Sequence, residues 1–188
     1  MSRWIPVIFT LVAFDVLWAV TMFGAGRAWW PVGPVLIAIS MLVQLRPSPS
    51  PRREALVILV GAAIGAASDA LLLSLGLLAY TDPSRVQFAI VFLALWVNFG
   101  TTLRPALRWM WHKPLLAALL GGIGGPLAYF AGDRIGAIDL AEPTWRTLLF
   151  VSLQYAVLTS LWMLLADRVM PAQAETDPST SSPAWRQT

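Results

Sequence analysis

Long apolar runs alternate with short polar segments along most of the chain. Most of the runs approach the roughly 20 residues that an α-helix needs to cross the hydrocarbon core of a bilayer. The segments between them hold most of the charged residues and turn formers. The pattern therefore predicts six transmembrane helices, at residues 5–23, 32–45, 55 to about 80, 86 to about 107, 115 to about 131 and 145 to about 166.

Two of the runs and one of the connections are irregular. Residues 32–45 are short for a full crossing, and the sequence leaves open whether 29–45 as a whole spans the bilayer. In the fifth run, Gly124, Gly125 and Pro126 predict a kinked or locally broken helix. Residues 46–53 contain three prolines and three arginines, which predict a solvent-exposed, non-helical loop.

Composition narrows the class of protein. Of the 188 residues, 57% are hydrophobic and only 12% are charged, with a mean hydropathy of +0.68. These values exclude a disordered chain and disfavour a soluble fold. We expect an all-α, polytopic transmembrane bundle over residues 1–170, followed by a tail at 171–188 whose Ser, Thr, Pro and acidic residues predict disorder.

The same counts remove several kinds of chemistry. The chain has no cysteine and one histidine, which excludes disulfides and thiolate metal sites and leaves too few ligands for a histidine-rich metal centre. The formal net charge of +3 is too small and too segregated for nucleic-acid binding. We therefore predict no metal, no cofactor and no nucleic-acid partner.

Basic residues are distributed unequally between the two sides of the predicted bundle. Nine fall on the side of the termini and four on the other, which predicts that both termini are cytoplasmic. The nine are Arg3, Arg46, Arg52, Arg53, Arg104, Arg108, Lys113, Arg168 and Arg186, and the four are Arg27, Arg85, Arg134 and Arg146. A cleaved signal peptide at residues 1–26 is disfavoured, because the apolar run is long and has Asp15 at its centre.

A few polar residues inside the runs are the candidates for function. Asp15, Asp69, Asn98 and Gln154 each fall within about two helical turns of the predicted midplane, and Tyr129 lies late in the fifth run. A carboxylate at that depth costs about 2.5–3.5 kcal/mol, and no Lys or Arg lies at the same depth. Both aspartates are therefore expected to face the bundle interior, as ligand-binding groups or as polar contacts that only join helices.

Glycine spacing adds a second group of candidates. Gly61 and Gly65 share a face of the third helix with Asp69, and Gly121 and Gly125 form a similar stripe on the fifth. Such stripes favour close helix packing over a ligand groove, and the likeness of the two runs is too weak to indicate an internal repeat. The Gly-Gly-Pro sequence has the stronger functional case, because it frees backbone groups that can coordinate a polar head group. The candidate ligand-binding residues are Asp69, Asn98, Gly125, Pro126, Tyr129, Asp15 and Gln154.

Three segments carry a resemblance. They are Asp-Ala-Leu-Leu at 69–72, the stretch with Trp96, Phe99, Thr101, Thr102 and Leu103, and Gly-Gly-Pro-Leu-Ala-Tyr at 124–129 with the Ala-Gly and Gly-Ala pairs that follow. Together they resemble a family of small inner-membrane proteins of proteobacteria whose function is unknown, over most of residues 5–168. Asp15 departs from the family pattern, which has a neutral amide there, and this argues against a catalytic role for Asp15.

What the resemblance implies is a multi-pass protein of the bacterial inner (plasma) membrane. It implies no established activity or cofactor. It does imply an association with neighbouring genes for fatty-acyl modification, such as cyclopropane-synthase-like and flavin amine-oxidase-like proteins. Membrane lipids and membrane-associated lipid-modifying enzymes are therefore the expected partners.

Three functions fit these features, and each predicts a different interior. Binding of a lipid or acyl chain in support of fatty-acyl or lipid modification, which we favour, predicts a lipid-width cleft open to the bilayer. A structural or assembly role predicts that Asp69 and Asn98 are hydrogen-bonded in a dry core without a pocket. A small proton-coupled transporter predicts a polar cavity that reaches one aqueous face, and a homodimer, because six short helices leave little room for alternating access.

Overall fold

A computed structural model describes residues 4–80 and 84–170 of the chain. Within those residues it contains six α-helices and two three-residue strands. The helices are α1 (Ile5–Gly24), α2 (Val32–Leu45), α3 (Pro51–Ser74), α4 (Arg85–Thr102), α5 (Pro114–Arg134) and α6 (Thr144–Val169), and the strands are β1 (Leu78–Tyr80) and β2 (Ile138–Leu140). The predicted all-helical architecture is confirmed. The predicted tail at 171–188 lies outside the described residues.

The outer surface of the bundle is apolar. Five of the described helices, all except α2, are long and apolar enough to cross a membrane. Every helix also exposes large apolar side chains, for example Phe9, Leu42, Leu56, Val86, Leu115 and Leu153. So much exposed apolar surface is costly in water but suits contact with lipid chains. The chain is therefore a membrane protein.

The short helix α2 runs from one end of the bundle to the other. Near its start, the missing side chain of Gly33 leaves room for Thr21, close to the end of α1. Near its end, the carbonyl oxygen of Gln44 accepts a hydrogen bond from Arg104, just beyond α4. Fourteen helical residues at about 1.5 Å each cover about 21 Å, which is thin for a bilayer but spans the bundle.

Two helices end earlier than the apolar pattern predicts. The third helix was expected to reach about residue 80, but it ends at Ser74, because Gly76 adopts a positive φ of 68° that stops the helix. The next residues form β1, which pairs antiparallel with β2. The fourth helix was expected to reach about residue 107, but it ends at Thr102. Pro105 lies three residues further on, and its missing N–H disfavours continuation of the helix.

The predicted loop at 46–53 is wrong over its second half. The helix α3 begins at Pro51, so Arg52 and Arg53 are helical. Proline is favoured at the first position of a helix, because its fixed φ suits the helix and an N–H there would lack an intrahelical partner. The non-helical segment is therefore confined to residues 46–50.

The fifth helix was predicted to be kinked or locally broken, and it is not broken, since α5 is continuous from Pro114 to Arg134. Pro126 lies inside the helix and cannot donate to the carbonyl oxygen of Gly122 four residues earlier. That oxygen instead accepts a hydrogen bond of 2.7 Å from the hydroxyl of Ser152 on α6. A neighbouring helix therefore supplies the hydrogen bond that proline removes, as transmembrane helices commonly allow.

The second half of the bundle consists of two similar units, α3–β1–α4 and α5–β2–α6. In each unit a glycine with positive φ, Gly76 or Gly136, ends the first helix and leads into the strand. The two strands pair antiparallel, with the central residues Ala79 and Asp139 opposite each other. Matching positions of α3 and α5 hold Gly61 and Gly121, Gly65 and Gly125, and Asp69 and Tyr129. The two units thus share the order of their elements and the glycine that ends the first helix, a likeness too weak in the sequence to indicate a repeat.

Candidate functional site

Asp69 is the centre of a hydrogen-bonded cluster that joins four helices. Its side chain is fully buried and receives hydrogen bonds from described residues of α4, α5 and α6. Trp96 Nε1 donates to Oδ2 at 2.6 Å, while Tyr129 Oη and Gln154 Nε2 donate to Oδ1 at 2.5 and 2.8 Å. All three donors are neutral groups. The carboxylate is therefore satisfied without a positively charged partner.

Glycine makes this cluster possible, because it lets aromatic rings lie against a helix backbone. A Cβ atom added at Gly65 would stand 2.2 Å from the indole of Trp96, and one added at Gly125 would stand 2.3 Å from the ring of Tyr155. The two rings stack on each other with centroids 4.7 Å apart. Gly65 lies one turn before Asp69, so the indole that covers the glycine brings its N–H to the carboxylate.

The glycine stripe of α3 therefore holds side chains rather than a ligand. At Gly61, a Cβ atom would stand 2.0 Å from the indole of Trp162. That indole donates its Nε1–H to the carbonyl oxygen of Val57 at 3.0 Å. Gln154 also donates to Ser68 Oγ, whose hydroxyl donates to the carbonyl oxygen of Gly65. The polar groups next to Asp69 are thus paired with one another.

Beside the cluster lies a cleft of about 460 Å³, a volume within the 300–1,000 Å³ range typical of ligand sites. Asp69 and Tyr129 form part of its wall, and most of the remaining wall is apolar or aromatic. The aromatic residues that line it are Phe14, Trp18, Phe92, Trp96, Phe99, Trp109, Tyr129 and Tyr155. The cleft could therefore hold an apolar chain next to a small number of polar groups.

The cleft opens sideways, between α1 and α5. Helix α1 packs mainly on α2 and α4, whereas α5 packs mainly on α6. The two helices approach each other near the β-strands, where the absence of a side chain at Gly132 leaves room for Met22 Cε. Midway along the helices, the lining residues Asp15, Leu120 and Gly124 are exposed. The cleft is therefore open at mid-depth, where lipid chains lie, and its wall is also exposed at Trp109, beyond the end of α4.

Asp15 is the second carboxylate on the wall of the cleft. Its side chain is exposed, and it has no hydrogen bond or ion pair with any residue that the structure describes. Next to it, Asn98 Nδ2 donates to the carbonyl oxygen of Phe14 at 3.0 Å and so joins α1 to α4 one residue before Asp15. Asp15 and Asp69 thus line one cleft with opposite degrees of hydrogen bonding.

The sequence-predicted candidates divide into three groups. Asp69, Tyr129 and Gln154 meet in one cluster. Asp15 and Gly125 line the cleft together with Asp69 and Tyr129. Asn98 and Pro126 stand outside its wall: Asn98 is buried against α1, and Pro126 lies within the continuous helix α5.

Sequence reasoning missed Trp96 as a partner of Asp69. Tryptophan is counted as apolar in the pattern of hydrophobic and polar positions, so that pattern does not show the N–H that donates to the carboxylate. One signal was present: Trp96 lies in the interior of its apolar run instead of at an end, where tryptophan usually anchors a helix at the interface. A buried indole normally needs a hydrogen-bond acceptor, and Asp69 is the acceptor that an apolar bundle offers.

Comparison with known proteins gives the chain a family. No curated protein and no solved structure is similar enough to this chain to count as a match. A family model does match residues 7–161, a range that runs from α1 into α6. The chain therefore belongs to the family described as protein of unknown function (DUF2878).

Proposed function

We propose that this membrane protein binds a lipid or acyl ligand, which enters the cleft sideways from the bilayer, and that it thereby assists lipid or fatty-acyl modification. The observation that supports this proposal best is the lateral opening between α1 and α5 at the depth of the lipid chains. A ligand that is already dissolved in the membrane needs no aqueous path to such a site.

The lining of the cleft suits a chain more than a polar solute. Its wall is mainly apolar and aromatic, from Met22 on α1 to Met110 and the exposed Trp109 beyond α4. A proton-coupled carrier would need a polar cavity that reaches water. The mainly apolar wall of this cleft fits an apolar chain better than it fits such a carrier. Lipid chains are as apolar as the cleft, so selectivity must come from shape and from the few polar groups on the wall.

The hydrogen-bonded cluster around Asp69 has a supporting role in this proposal. It joins α3 to α4, α5 and α6 and so holds three walls of the cleft in place. A purely structural protein would have the cluster but would not need the cleft beside it. The bacterial inner membrane as location, and lipid-modifying enzymes as partners, rest on the family resemblance and form part of the same proposal.

Gly124 offers a direct test, because it lines the cleft and a Cβ atom added there would meet no atom within 4 Å. We expect Gly124→Leu to obstruct the mouth of the cleft without a clash at its Cβ, and Gly124→Ala to leave the mouth open. Native mass spectrometry with lipid extraction, on protein purified in a mild neutral detergent, should find a stoichiometric lipid on wild type and Gly124→Ala. The lipid should be absent from Gly124→Leu.

Thermal unfolding of the three proteins is the control for this comparison. A folded Gly124→Leu protein without lipid supports a ligand in the cleft. An empty wild type, or equal lipid content in all three proteins, contradicts the proposal and favours a structural role.

A further inference from the structure

We infer that the ligand carries a positively charged group, an amine or quaternary ammonium on an apolar chain, and that this group pairs with Asp15. The inference rests on the proposed function and names the class of its ligand. It comes from the charges on the wall of the cleft and from the different states of the two carboxylates.

The wall of the cleft carries acids without bases. Its titratable groups, among the residues that the structure describes, are Asp15, Asp69, Tyr129 and Tyr155, and none is Lys, Arg or His. The head group of an anionic lipid or the carboxylate of a fatty acid would meet no counter-charge there and would face Asp15. A cation would meet a favourable field, because charges of one sign in an apolar site attract the opposite sign strongly.

Of the two carboxylates, Asp15 is the one available to a ligand. Both oxygens of Asp69 already accept hydrogen bonds from Trp96, Tyr129 and Gln154. Asp15 has no partner in the described part of the chain and stands exposed on the wall of the cleft. It lies ten residues into α1, about 15 Å from the start of the helix, where an ionisable side chain without a partner indicates a functional site.

Asp15 was expected in the bundle interior, but the structure places it exposed on the wall of the cleft. Asp15, Trp18 and Met22 share one face of α1, and all three line the cleft. The hydrogen bond from Asn98 to the Phe14 carbonyl oxygen joins α1 to α4 beside this face and favours its orientation. Phe14 also packs edge-on against Phe99 of α4, with ring centroids 6.3 Å apart. Asn98 is therefore a positioning residue for Asp15.

The aromatic residues around Asp15 suit the same class of ligand. Phe14 and Trp18 stand beside it on α1, and both contribute to the wall of the cleft. Aromatic faces attract ammonium groups, and quaternary ammonium ligands are commonly bound among aromatic rings. A carboxylate next to such rings therefore favours an alkyl-ammonium group over a neutral head group of equal size.

Two single-chain probes of equal length and opposite charge test the inference: octadecyltrimethylammonium and octadecanoate. Each is titrated into delipidated protein in neutral detergent, and bound probe is counted by native mass spectrometry. We expect wild type to prefer the cation by roughly tenfold or more, as one charge-assisted contact provides. Asp15→Asn should lose the preference, and Asp15→Glu should restore it. Asp15 is exposed, so neither substitution should impair folding.

The Gly124→Leu protein separates the two proposals. If it loses both probes while wild type binds them equally, the cleft binds chains, but the inference about charge is wrong. If Gly124→Leu binds both probes as wild type does, the ligand lies elsewhere, and the proposed function fails together with the inference. A preference for the cation that persists in Asp15→Asn also overturns the role of Asp15.

Discussion

Asp69 and Asp15 line the same cleft, but they differ in every property that decides what a carboxylate can do. Asp69 is 0% exposed and accepts hydrogen bonds from three helices. Asp15 is exposed and has no partner within the described residues. A carboxylate whose oxygens are occupied stabilises the bundle, whereas one with free oxygens can bind a ligand. The type of residue and its depth are therefore insufficient to assign a function.

A third carboxylate shows how the ends of the bundle differ from its middle. Glu54 is also buried and lies on the same helix as Asp69, but in its first turn. Its partner is a cation: Arg104 Nε donates to Glu54 Oε2 at 2.7 Å. The long side chain of Arg104 reaches Glu54 from the end of the bundle, whereas Asp69 accepts hydrogen bonds from neutral donors inside the bundle. Each carboxylate is paired by the donors available at its depth.

Replacing each aspartate by leucine should produce the largest difference between them. In Asp69→Leu, the N–H of Trp96, the O–H of Tyr129 and one of the two N–H groups of Gln154 lose their acceptor inside an apolar bundle. Unpaired buried donors cost about 1–3 kcal/mol each, so we expect the free energy of unfolding to fall by more than about 3 kcal/mol. Asp15→Leu should leave it unchanged or raise it, because leucine is favoured at membrane depth.

Titration with SDS in mixed micelles measures both variants under the same conditions. Asp69→Asn is a useful third variant, because an amide can still accept the hydrogen bond from Trp96 and should cost less than leucine. Equal losses in Asp69→Leu and Asp15→Leu would show that Asp15 also has a structural partner.

Replacing a glycine by alanine should change the free energy of unfolding by a smaller amount, and in opposite directions at Gly65, beside Asp69, and at Gly124, in the cleft. In Gly65→Ala, the new methyl group would overlap the indole of Trp96, and overpacking of this kind costs about 1–3 kcal/mol. Gly124→Ala meets open space and gains helix propensity, so it should stabilise by up to about 1 kcal/mol. The same unfolding titration checks both, and a stable Gly65→Ala protein would mean that the cluster can shift without loss.

The helical fold was predictable because its main signal is the length of the apolar runs. Errors arose where an apolar run hides a change of structure. Leu77, Leu78 and Ala79 continue the apolar pattern of α3, yet Gly76 ends the helix before them and β1 follows. At Pro126 the local signal for a break was sound, but Ser152 on another helix supplied the missing hydrogen bond. Local patterns cannot show such compensation.

The site was predictable only in part, for a similar reason. Polar residues in apolar runs are few, so Asp69, Tyr129 and Gln154 could be selected and do meet. The candidates Asp69, Gly125 and Tyr129 do line a cleft, whereas Asn98 and Pro126 do not. Where the cleft opens depends on how far α1 stands from α5, and no periodicity in the sequence encodes that separation. Trp96 and Trp162 could not be recognised as hydrogen-bond donors from the sequence pattern, because tryptophan is counted there as a hydrophobic residue.

These two tryptophans allow the smallest and most specific prediction. Both are buried, both lie against a glycine of α3, and both donate Nε1–H, Trp96 to the carboxylate of Asp69 and Trp162 to the carbonyl oxygen of Val57. Phenylalanine removes the N–H donor and a similar side-chain volume at each site. The difference in free energy of unfolding between Trp96→Phe and Trp162→Phe therefore reports the difference between the two acceptors.

A hydrogen bond to a charged acceptor is stronger than one to a carbonyl, while interhelical hydrogen bonds in membranes average about 0.6 kcal/mol and reach about 1.7. We therefore expect Trp96→Phe to lower the free energy of unfolding by about 1 kcal/mol more than Trp162→Phe in the SDS titration. In an Asp69→Asn background the difference should shrink, because the acceptor is then neutral. If the difference between the two variants is the same in the wild-type and the Asp69→Asn backgrounds, Asp69 behaves as a neutral acceptor in the folded protein. Asp69 and Asp15 would then differ in whether a ligand can reach them, and not in charge.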